Sequence, residues 1–151
     1  MFERFSREAR EVVRAAEAEA TDLGSPTIEA EHLLLALTDR VAALPAVGLD
    51  RDGVLTALEA ERDRSLAAVG VSATGFEPSP LAGRPRFATS AKSALELALR
   101  EALTRGDRRI LPGHLLLGVV RPQAGTVPRA LEQAGVDRDD LRARTAAEMD
   151  R

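Results

Sequence analysis

The 151 residues carry a net charge of −3, contain no cysteine, and include only four aromatic side chains, all phenylalanine. Disulfides and thiolate metal sites are excluded, the acidic balance argues against a dedicated nucleic-acid binder, and no aromatic platform exists on which bases would stack. The length suits one domain, or two small halves sharing a core, and the missing cysteines suit a reducing cytoplasm, the expected location.

Met1–Ser6 is charged and lacks the apolar core of a signal peptide, and no apolar run approaches the roughly 20 residues that span a bilayer. Ser6 is placed to cap a first helix, with Glu8 in its first turn. Ala9, Val12, Val13, Ala16, Ala20 and Leu23 then recur at helical spacing until Gly24 and Ser25-Pro26 turn the chain. A leucine-dense helix is expected from Ala30 to Asp39, buried on more than one side. Val41–Val47 leaves room only for a short or distorted helix around Pro45. Asp50 caps a fourth helix that Val54, Leu55 and Leu58 anchor.

Ala67–Arg86 contains Gly70, Gly75, Pro78, Pro80, Gly83 and Pro85 and reads as a connection, with Phe76 and Leu81 available to pin it. Beyond it the pattern returns. Thr89 or Ser90 caps a stripe of Ala91, Ala94, Leu95, Ala98, Leu99 and Ala102. Pro112 opens a second leucine-rich helix, Thr126–Ala134 forms another, and Asp137 caps the last, with Leu141 inside.

Glu31-His32-Leu33-Leu34-Leu35 reappears as Gly113-His114-Leu115-Leu116-Leu117, at the 82-residue offset that separates the two histidines. The same offset lays Phe5 on Phe87, Ala9 on Ala91, Ala16 on Ala98, Gly24 on Gly106 and Ile28 on Ile110. Asp50 and Asp137 lie 87 apart, because five residues are missing from the first copy before Gly48. The chain is therefore read as a tandem duplication: all-α, about eight helices in two pseudo-symmetric four-helix repeats. Repeat one covers 1–66, the linker 67–86 and repeat two 87–151.

Reactive motifs are missing. There is no phosphate-cradling G-x-x-x-x-G-K-[ST], no G-x-S-x-G and no H-E-x-x-H. His32 and His114 admit two readings: paired metal ligands assisted by Glu29 or Glu31, or first-turn residues bonding the loop backbone. Equivalence in a repeat favours the second. Glu29/Glu31 and Asp139/Asp140 are read as solvated helix ends. No enzyme, metal or cofactor is expected.

The opening Met1-Phe2-Glu3-Arg4-Phe5-Ser6-Arg7-Glu8-Ala9-Arg10 and the doubled His-Leu-Leu-Leu signature resemble the N-terminal repeat domain of Clp-type AAA+ unfoldases, the ClpC group in particular. That resemblance spans essentially the whole chain and implies a domain that docks substrates and adaptors, here free-standing without ATPase modules. It also implies two sites. The signature glutamate of relatives engages the guanidinium of phosphoarginine-marked substrates; Glu31 keeps it, whereas Gly113 has lost it. In the actinobacterial group, cyclic peptides of the cyclomarin and rufomycin kind dock between the first helices of the repeats. The matching positions are Met1, Phe2, Arg10, Val13, Phe87, Lys92, Leu95, Glu96 and Leu99. There Phe2 and Phe87 line a ligand groove, staple the helix starts, or do both. The expected roles are sequestration of such peptides or modulation of substrate delivery to Clp protease components. Docking within a full unfoldase is an alternative, and a helical DNA-binding regulator is a poorer fit to the charge.

Overall fold

In a computed structural model, residues 2–70 and 83–151 are described. A 3₁₀ turn at Phe2–Arg4 leads to α1 (Arg7–Asp22), β1 (Thr27–Ile28), α2 (Ala30–Leu37), α3 (Ala43–Ala46) and α4 (Arg51–Ala68). The second set is β2 (Arg86–Phe87), α5 (Thr89–Arg105), α6 (Pro112–Val120), α7 (Thr126–Gln133) and α8 (Arg138–Met149). Among the described residues no helix is long and apolar enough to cross a membrane.

The caps explain where several helices begin. Ser6 Oγ accepts from Ala9 N at 3.1 Å, Asp50 Oδ1 from Gly53 N at 2.8 Å, and Asp137 Oδ1 from Asp139 N at 2.8 Å. Pro112 takes the first position of α6, where its missing N–H has no bond to make. The five-residue difference between the copies is visible as α3, a single turn containing Pro45, against the eight-residue α7.

Three expectations are corrected. α4 runs to Ala68, so Ala67 and Ala68 are helical rather than part of the connection, and Arg86 at its other end is in a strand. Phe76 and Leu81 lie outside the described residues. Neither Thr89 nor Ser90 caps α5: Ala88 holds that position, and Ser90 Oγ instead accepts from Ala30 N at 2.9 Å, in the other repeat.

The strands escape a periodicity search because each is two residues long. β1 pairs in parallel with β2, Thr27 against Arg86 and Ile28 against Phe87, while Phe5 bridges Ile110 in the same sense. The 82-residue offset maps one pairing onto the other, so each repeat lends its leading segment to its partner. Ser6 N bonds Ile110 O at 2.9 Å and Ala88 N bonds Ile28 O at 3.0 Å. The helices cross likewise, with α7 on α4 and α3 on α8. At the centre α2 and α6 touch each other as well as α1 and α5. Phe5, Ile28, Leu33, Leu34, Leu35, Leu37, Leu44, Ile110, Leu115, Leu116 and Leu131 are fully buried in one continuous core.

Gly118 lets the α6 backbone lie close against α5. A β-carbon there would meet Ala98 N at 2.8 Å and the Ala94 carbonyl nearer still, both on α5. Helix propensity alone favours Gly→Ala by about 1 kcal/mol. Overpacking reverses the sign: Gly118→Ala is expected to destabilise the fold by about 1–3 kcal/mol, read from urea unfolding midpoints.

Candidate functional site

Each histidine occupies the third position of a central helix, with its ring turned back onto the chain. His32 Nδ1 accepts from Glu29 N at 2.8 Å, and His114 Nδ1 accepts from Leu111 N at 2.9 Å. Since Nδ1 accepts, the ring proton is assigned to Nε2, and His114 donates it to Asp107 Oδ2 at 2.7 Å. That bond, with the Arg105 guanidinium beside it, holds the Asp107 carboxyl below its ordinary range. Among the described residues no group of three side chains is arranged to hold a metal ion. The rings cap the helices from inside.

Two clefts meet one residue before His32. The first, about 590 Å³, opens between the start of α2, the Ser90–Leu97 face of α5, and the α6–α7 connection with the start of α7. Its floor is apolar, with Ala94, Leu97, Val119 and Val127, and Arg121 and Arg129 stand on its far wall. The second, about 500 Å³, lies between the start of α2 and Leu55, Leu58 and Glu59 of α4. Glu31, Thr126 and Arg129 line both.

The two carboxylates at the start of α2 differ in availability. Glu29 accepts from Thr27 Oγ1 at 3.1 Å and from Ser90 Oγ, which ties it to the repeat junction. Glu31 faces the clefts. Burial pushes its pKa above the ordinary range, the Glu29 and Glu61 charges push the same way, and Arg129 and its own backbone N–H oppose them. Across from it, Arg129 Nε bonds Glu61 Oε1 at 2.8 Å. Burial would raise the pKa of Glu61, yet bonds from Ser65 and Arg129 outweigh it and hold the carboxyl below the usual range. The Arg129 side chain remains 55% exposed.

A family model for the Clp repeat (R) N-terminal domain matches residues 4–84 and 86–151. The chain belongs to that family. It is 34% identical over 143 residues to chaperone protein ClpC1, chloroplastic, of Oryza sativa subsp. japonica, covering 94% of this chain and 15% of that protein. It is also 34% identical over 144 residues to a ClpA homolog of Porphyra purpurea, covering 95% of this chain and 17% of the relative. The chain thus spans under a fifth of the length of these relatives. In fold it is similar to the N-terminal domain of ClpD from Arabidopsis thaliana, with a TM-score of 0.77 at 22% identity over 100% of this chain and 97% of the other. The Hsp104 N-terminal domain of Candida albicans gives 0.66 at 16% identity, over 93% and 88%.

Within this Clp repeat domain the residues matched to the cyclic-peptide site sit apart from both clefts. Phe2 is 44% exposed, its ring 5.0 Å from that of Phe5, and Arg10 donates to its carbonyl at 3.2 Å. Val13, Phe87 and Leu99 are half-buried against the core, and Leu95 is buried at 4% exposure. Lys92 and Glu96 are exposed one turn apart on α5, while Met1 lies outside the described residues. Of the expected site residues, only Glu31 lines either cleft. Ser90, Leu97, Thr126 and Arg129 carry no binding signal of their own in the sequence. What points to the last two is the five-residue surplus of the second copy, which builds the α7 wall.

Burial holds the His32 pKa below the ordinary histidine value, so the native ring resists protonation. On acidification the unfolded chain takes up its proton first, below about pH 6.5, and stability falls from there down through the folded value. Urea midpoints are expected to fall as the pH drops below about 6.5, and His32→Gln, which keeps a capping acceptor, is expected to flatten that limb.

Proposed function

We propose that this Clp repeat domain works by binding alone, docking a segment of a polypeptide that is a substrate or adaptor of a Clp-type chaperone. The cleft at Glu31 is the observation that carries the reading. It offers an apolar floor with a few fixed polar groups, the usual make-up of a recognition site. An ionised Glu31 on one side and Arg129 and Arg121 on the other suit a side chain that carries a cation and an anion a few atoms apart. Phosphoarginine has that form: its guanidinium faces Glu31 and its phosphate faces the arginines. Only one such site is on offer, because Gly113 holds the equivalent position in repeat two. The expected compartment is the cytoplasm.

A second reading rests on Phe2. A phenyl ring left 44% exposed, with its backbone carbonyl clamped by Arg10, is a preset apolar contact. With Val13, Phe87, Lys92, Leu95, Glu96 and Leu99 it would receive and hold a cyclic peptide of the cyclomarin kind.

Calorimetric titration tests the first reading with a short peptide carrying one phosphoarginine and with its unmodified twin. The modified peptide is expected to bind tighter, and Glu31→Gln to weaken it about tenfold or more, roughly 1.4 kcal/mol. Binding should fade on acidification starting above the ordinary glutamate range, since the Glu31 pKa is raised and only its ionised form attracts the guanidinium. Equal affinity for both peptides, or indifference to Glu31→Gln, defeats the assignment. For the second reading, a cyclomarin-type peptide is expected to bind the wild type and to be lost on combining Phe2→Ala with Phe87→Ala; binding untouched by that pair counts against it.

A further inference from the structure

The offset that superposes the two central helices puts Gly113 of α6 where α2 has Glu31. The space beside Gly113 is already taken. A β-carbon built on it would come within 2.6 Å of Met149 Cγ, nearer still to Sδ, and 3.3 Å from Cε. The thioether of α8 therefore lies on the α6 backbone, where a side chain at position 113 would leave the helix. On α4 the residue equivalent to Met149, 87 positions earlier, is Arg62, which lines the second Glu31 cleft.

Met149 is also fastened from both sides. Its neighbour Glu148 accepts from Ala43 N at 3.0 Å and from Ala42 N at 3.3 Å. Asp150 is paired with Arg105.

We infer that Met149 is an intramolecular occupant of the second repeat's docking position, so that the domain presents one docking site where its duplicated fold provides two. The inference rests on reading the Glu31 cleft as a docking site. Its structural half, that Met149 covers position 113, is testable without any ligand.

Because the chain has no cysteine, a single introduced thiol is a unique handle. Three variants are compared for alkylation by iodoacetamide: Glu31→Cys, Gly113→Cys, and Gly113→Cys with Met149→Ala. The first and third are expected to react at rates within about threefold of each other, and Gly113→Cys alone at least about tenfold more slowly, as a site reached only through local opening. If Gly113→Cys folds only when Met149→Ala accompanies it, the steric conflict is read through stability and supports the inference equally. Equal labelling with and without Met149, or no labelling in the double variant, overturns the inference. The docking half is then read by titrating the phosphoarginine peptide into Gly113→Glu with Met149→Ala. A second, weaker equivalent per chain is expected, because Ala42 and Asp39 stand where the first site has Arg129 and Arg121, against one equivalent for the wild type. Two equivalents on the wild type, or no second equivalent on the rebuilt double variant, overturn it. No binding to either protein sinks the docking reading, while the labelling rates still decide whether Met149 covers position 113.

Discussion

The fold depends on a reciprocal backbone exchange. The segment before α1 pairs with the segment before α6, and the segment before α5 pairs with the segment before α2. Each pairing joins different repeats and involves very few residues, yet it fixes where both central helices begin. A short parallel pairing contributes little by itself. Its effect is positional: Phe5, Ile28 and Ile110 are driven to within 1% of complete burial, so the hydrophobic effect locks a register that hydrogen bonds alone would leave loose. The histidine caps, the clefts and the covered position at Gly113 all follow from where α2 and α6 start.

The exchange extends to charged groups. Glu61 on α4 and Glu148 on α8 are 87 residues apart, the offset of the capping aspartates, and each reaches the third helix of the opposite repeat. Glu61 meets the Arg129 guanidinium of α7, whereas Glu148 receives two backbone N–H groups at the start of α3. The lost five residues account for the difference. A single-turn helix exposes its first amides and offers no side chain at that place, so the carboxylate takes the backbone instead. One carboxylate geometry has thus been kept through two different partners, and the fuller α7 supplies the wall of the larger cleft.

Much of this was legible in the residues. Ser6, Asp50 and Asp137 cap where the pattern placed them, Pro112 opens its helix, and the arithmetic of the missing residues located the stunted α3. Those signals are local, encoded within a turn or two of the chain. What escaped is what joins distant residues. A two-residue strand has no periodicity, and a serine hydroxyl such as Ser90 looks like a cap until the partner amide of Ala30 stands beside it. The contrast between Glu31 and Gly113 was evident in the sequence, but the side chain that lies beside Gly113, Met149, sits 36 positions further on at the end of another helix. The cyclic-peptide positions came from resemblance alone, and the geometry gives them a different face from the clefts.

The crossed pairings also bear on ancestry. In both pairings the leading segment of one repeat meets the receiving segment of the other, the arrangement by which two lone copies would swap segments across a two-fold axis. Joining two such genes end to end turns an association governed by concentration into an intramolecular one. It also releases the copies from identity: positions 31 and 113 are equivalent in the repeat yet carry a glutamate and a glycine.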